Sequence, residues 1–143
     1  MAGSPGPLGF FYFSAAKAAG YTAISVAIKK GYGLLGSAKP PVWVVGLTRT
    51  AIGLGVGAIY GAIWIYLINK YQRADELQSL FYAGLLPVRF AEWTLVIWIF
   101  FDRSLQNRAK WWIYAGLGVL CSYVLDAIGV GAAFVLPGGI WVC

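Results

Sequence analysis

The chain has 143 residues, 60% of them hydrophobic, 17% aromatic and 11% charged, with a net charge of +6. A mean hydropathy of +0.73 and a charged fraction well under the ~25% of soluble domains exclude a water-soluble globule, and the aromatic content excludes a disordered tail. The chain holds no His and only two cysteines, Cys121 and Cys143, which removes haem ligation, His-based zinc sites and Ser-His or Cys-His catalysis; no metal, cofactor or catalytic residue is expected.

Residues 1 to 9 form a Gly/Pro-rich lead without charge. From Phe10 to about Ile28 the chain is apolar except for Lys17 at the middle of the predicted helix, and Ala15, Ala19, Ala23, Ala27 and Gly31 recur at every fourth position. On a helix that spacing makes a smooth stripe along which another backbone can approach. The stretch predicts a helix over about 10–31, and with Lys17 at its centre both a fourth membrane span and an interfacial helix stay open.

Lys29, Lys30, Gly31 and Gly33 begin a break that Lys39, Pro40 and Pro41 complete. From Val42 to Ile68 the one ionisable side chain is Arg49, and some 20 apolar residues suffice to cross a bilayer. Gly53, Gly57 and Gly61 give this span a doubled GxxxG stripe, which suits a helix contact and is expected to receive the alanine stripe of the first helix. Arg49 lies toward the basic end, where a long side chain can snorkel to lipid phosphates.

A polar segment, Asn69 to Glu76, separates this span from the next, 77–101, which contains Pro87 and is expected to kink there or to free a carbonyl. Asp102 to Lys110 form another polar turn before the last span, 111–136, which Pro137 and the glycines after it terminate. Trp43, Trp98, Trp111, Trp112 and Trp141 sit near span ends, as amphipathic rings do at headgroup level. The fold class is therefore all-α integral membrane, a single domain over 1–143 with three transmembrane helices and an N-terminal fourth helix.

Basic residues concentrate in two connections, at Lys29, Lys30 and Lys39 and at Arg103, Arg108 and Lys110, while the 69–76 segment holds only Lys70 and Arg73. The positive-inside rule puts the first two on the cytoplasmic or matrix side and the C-terminus on the other. The positive charge thus addresses lipid headgroups, at Arg49, Lys39, Arg108 and Lys110, rather than nucleic acid. No basic n-region or cleavage site marks the apolar start as a secretory signal. The acid-free N-terminal half fits either a mitochondrial or a bacterial inner membrane.

Arg89 and Glu92, three residues apart on one helix face, occupy the middle of their span, and Asp126 lies near the middle of the next. Each charge would cost at least ~2.5 kcal/mol to insert alone. A shared network of Arg89, Glu92, Asp126 and Lys17 lowers that cost. It reads in two ways: ion pairs that fix helix register within the bundle or against a partner, or a polar site for a headgroup, ion or proton. Glu92 and Asp126 are the carboxylates available for acid/base work, with Ser122 and Tyr123 the nearest hydroxyls, and no activated nucleophile stands beside them.

The favoured expectation is a structural or assembly subunit of a larger membrane complex, in contact with lipids and with other membrane subunits or copies of itself. A small oligomeric transporter or channel is the alternative.

Overall fold

The computed structural model describes residues 7–38, 40–71 and 74–133. Their regular structure is entirely α-helical: α1 (Pro7–Gly31), α2 (Val42–Tyr71), α3 (Ala74–Phe100) and α4 (Arg108–Ala133). Stretches within α2, α3 and α4 are long and apolar enough to cross a membrane, so the protein is an integral membrane protein of the all-α class. α2 and α3 extend further into the polar 69–76 segment than its composition predicts, because polar residues that leave the apolar zone can still complete helical turns. The predicted stop at Pro137, together with Lys39, Trp141 and Cys143, lies outside the described residues.

Packing joins α1 to α2, α2 to α3, α3 to α4 and α4 back to α1, while the diagonal pairs keep their backbones apart. Short connections between successive helices impose this antiparallel ring. α1 stands upright in it. Gly31 lies against Tyr114, the Tyr21 hydroxyl meets Ser122 Oγ at 3.3 Å, Gly20 lies under Leu125 and Lys17 reaches Asp126. Numbers fall along α1 as they rise along α4, so the two run antiparallel for roughly 20 Å at ~1.5 Å per residue. α1 is thus a fourth helix of the bundle, although it is not among the three apolar enough to cross by composition.

The helix ends are built locally. Gly33 holds φ +73, its N–H reaches the Lys30 carbonyl at 3.0 Å and that of Leu34 reaches Lys29 at 2.9 Å, which is a Schellman cap with glycine where a Cβ would clash. Lys29 Nζ donates to the Ser37 and Pro40 carbonyls at 2.6 and 3.1 Å, tying the linker to the end of α1. Asn107 caps α4, its Oδ1 accepting from the Lys110 N–H at 3.2 Å. In the same turn Asp102 Oδ1 accepts from the Ser104 hydroxyl and N–H, and these bonds hold the carboxyl below its usual range. α3 is helical across Pro87, which faces outward.

The two small-residue stripes do not meet. Ala15, Ala19, Ala23 and Ala27 are exposed on the outer surface of α1, whereas the row Phe13, Lys17, Tyr21 and Ser25 is buried. Rows offset by two residues stand roughly 200° apart on a helix. The row with aromatic area and a cation matched by Asp126 turns inward, leaving the alanines outside. On α2 the close approach falls instead at Gly46, where an added Cβ would lie 2.8 Å from the Thr22 backbone nitrogen and 3.0 Å from the Ala18 oxygen. Gly61 faces open space, and Gly53 faces the Arg49 guanidinium.

The apolar core fills one half of the ring, next to the 32–41 and 101–107 connections. Tyr21, Ile28, Val45, Trp93, Val96, Ile97, Ala115 and Val119 form it. Trp93 lies where Gly118 has no side chain, stands edge-on to Tyr21 at 5.5 Å, and donates from Nε1 to Ser122 Oγ at 3.0 Å. The other half of the ring is less tightly filled, and the buried charges sit at the boundary between the two.

Candidate functional site

Each helix places at least one buried ionisable side chain at this boundary: Lys17 from α1, Arg49 from α2, Arg89 and Glu92 from α3, and Asp126 from α4, all under 9% exposed. Lys17 Nζ lies 2.9 Å from Asp126 Oδ1. Arg89 Nη2 donates to Asp126 Oδ2, and Arg49 Nη2 donates to Glu92 Oε2 at 2.6 Å. Ion pairs thus cross the α1–α4, α3–α4 and α2–α3 seams. The α1–α2 seam is the one that Gly46 closes by backbone approach.

The structure brings together all four residues of the network predicted from sequence. Arg89 and Glu92 share a face of α3, and each forms an ion pair with another helix, Arg89 with Asp126 and Glu92 with Arg49. Arg49 departs from its expectation. It is 2% exposed, so it does not snorkel to headgroups. Of the other residues assigned to headgroup contact, Arg108 is exposed, and Lys110 lies over the Tyr32 ring at 5.7 Å.

Aromatic faces complete the solvation of the cations. The Arg49 guanidinium carbon is 4.9 Å from the Tyr21 centroid and 5.2 Å from that of Trp93. Arg89 lies 4.6 Å over Tyr123, and Lys17 4.3 Å over Phe13. Such contacts strengthen when water is excluded. Tyr21 and Trp93 also share the Ser122 hydroxyl, which itself donates to the Gly118 carbonyl at 2.9 Å. These two rings carry no signal in a charge-based reading, and only the small residue at Gly118 hints that something large fits there.

A narrow recess of about 10 Å³, room for about one water molecule, lies beside the charges, toward the end of the bundle where α2 meets α3. Arg49, Gly53, Gly57 and Tyr60 of α2 line it, with Leu85, Arg89 and Glu92 of α3 and Lys17 of α1. Tyr60 closes its far side by donating to the Phe81 carbonyl at 2.8 Å. Among the described residues no cluster of His, Cys, Asp and Glu has the make-up of a metal site. The arrangement is that of a charge-locked membrane bundle with a cationic recess. Comparison of the chain with protein-family models, with characterised proteins and with solved structures finds no match.

Proposed function

We propose that this chain is a structural or assembly subunit of a membrane complex, held rigid by its internal ion pairs and docked through the outer face of α1. The observation that carries this reading is the outward alanine row, Ala15, Ala19, Ala23 and Ala27. Lipid tails give apolar helices no hydrophobic reason to associate, so helix contacts in membranes depend on close packing, which small residues permit. The ion pairs fall between helices of this chain and serve its own register, which leaves shape rather than charge to select a neighbour. In this proposal the connections at 32–41 and 101–107 face the cytoplasm or matrix, as their basic residues favour.

The test is the composition of the particle extracted in a mild detergent. Light scattering on the wild type should give a protein mass above 15.5 kDa, from foreign chains or from further copies. Ala19→Leu combined with Ala23→Leu should reduce it to a single folded chain. A wild-type monomer free of other proteins sinks the proposal. A second reading, a small transporter for an ion, proton or anionic amphiphile, draws its support from the buried charges around Arg49.

A further inference from the structure

The end of the bundle that carries the 32–41 and 101–107 connections holds another hollow, far larger than the recess at the charges. It is an open groove of about 630 Å³, within the ~300–1,000 Å³ of small-molecule sites. The first connection lends it Leu34, Pro40 and Pro41, the end of α3 lends it Ile99 and Phe100, and Phe101 and Arg103 complete it. Both walls are held in place. Lys29 Nζ ties down the linker through the Ser37 and Pro40 carbonyls, and the Phe101 ring stacks on Tyr32 at 6.0 Å.

Depth and charge decide what such a groove meets. Trp43 stands just after Pro41 and Trp98 directly before Ile99, and they are 60% and 47% exposed. Tryptophans on the surface of a membrane protein favour the level of the lipid headgroups, so the groove opens where a phospholipid passes from headgroup to acyl chain. Arg103 is exposed and, among the described residues, has no ion pair. The neighbouring Asp102 carboxylate is engaged by the Ser104 hydroxyl and N–H. Around it the two connections bring Lys29, Lys30, Lys39, Arg103, Arg108 and Lys110, six cations against that one carboxylate. The charge selects an anion and the apolar walls select hydrocarbon, and a phospholipid carries both in one molecule.

We propose that this groove holds one anionic phospholipid of the surrounding leaflet, with its phosphate on Arg103 and the upper part of an acyl chain against Pro41, Ile99 and Phe100. Guanidinium suits the headgroup because its donors are fixed in a plane that matches phosphate oxygens, two at a time. The open mouth admits the lipid directly from the bilayer. A lipid seated there links the 32–41 connection to the end of α3, and so adds to the α2–α3 seam near its end what the Arg49–Glu92 pair supplies at its middle. The site stands apart from the outer face of α1 and does not rest on the docking proposed for it.

Native mass spectrometry of the purified full chain in detergent, with added dioleoyl phosphatidylglycerol or dioleoyl phosphatidylcholine, tests the site. One phosphatidylglycerol should stay bound per chain, with a dissociation constant roughly fivefold or more below that of phosphatidylcholine, the gain expected where a cation faces an anionic lipid. Glycerol phosphate at the same concentration should not displace it, since it offers the apolar walls nothing. Arg103→Ala should remove the preference for phosphatidylglycerol and leave the melting temperature of the lipid-free protein unchanged, because the side chain is exposed. Arg108→Ala, which removes an exposed cation that does not line the groove, should leave the preference intact. Equal affinity of the wild type for the two lipids, displacement by glycerol phosphate, or a preference that survives Arg103→Ala overturns the proposal. So does an equal loss on Arg108→Ala, which would make the attraction a diffuse property of the basic surface. Loss of protein chains rather than of lipid from the Arg103→Ala particle would make the groove a subunit contact, and overturns it as well.

Discussion

Asp126 is the carboxylate shared by two cations, Lys17 and Arg89, and Glu92 is the partner of Arg49. Removing one member of a buried pair commonly costs about 3–5 kcal/mol, whereas replacing both with apolar side chains of similar volume is often neutral. Glu92→Leu and Arg49→Met should therefore each lower the melting temperature of the detergent-solubilised protein, and their combination should recover most of the loss. The combination Arg89→Met with Glu92→Leu should not recover it, since it removes the partner of Arg49 and one partner of Asp126 together. Wild-type melting of that second pair would show that Arg89 and Glu92 neutralise each other along α3 after all. The residues of the network were legible in the sequence because an ionisable side chain amid apolar ones stands out. Their pairing was not, because it depends on the register between helices, to which spacing within one helix is blind. The same blindness put Arg49 at the headgroups: it sits about 10 Å from the start of α2 at ~1.5 Å per residue, a distance that allows snorkelling until a facing Glu92 is known.

At the scale of elements, helix positions followed from hydropathy and helix faces did not. Spacing of four predicted a stripe on α1, but two such rows exist there, and the choice between them rests on what α4 and α2 present. Gly46 escaped notice for a related reason: a single glycine outside a repeat has no pattern to announce it. Yet it is Gly46, not the doubled GxxxG, that meets the backbone of α1. Gly46→Leu should therefore overpack the α1–α2 seam and destabilise the protein by about 1–3 kcal/mol, the usual cost of forcing extra methylenes into a filled site. Gly61→Leu should leave thermal unfolding near that of the wild type, because nothing lies within 4 Å of its Cβ position. Equal destabilisation by both would mean that the outer part of α2 is covered by a neighbour in the assembled state.

For the whole molecule, the decisive relation is the shared depth of Lys17 and Asp126. Measured from the contact of Gly31 with Tyr114, Lys17 lies fourteen residues back along α1 and Asp126 twelve residues on along α4, or roughly 20 Å in each case at ~1.5 Å per residue. An α1 lying flat in the interface would lose this ladder. It would also strip Asp126, inside the apolar zone, of one of its two cation partners and leave it to Arg89. If α1 crosses with the others, four antiparallel helices place Gly9 and Asn69 on one side of the membrane, and Ser37 and Ser104 on the other. Single cysteines at these four positions, in a chain whose Cys121 and Cys143 are replaced by Ser, should then react with an impermeant maleimide in sealed vesicles as two pairs of opposite sidedness. Labelling of position 9 together with position 37 would remove α1 from the membrane-spanning set. Labelling of Asn69 together with Ser104 would contradict the antiparallel pairing of α2, α3 and α4 on which the ion-paired seams depend.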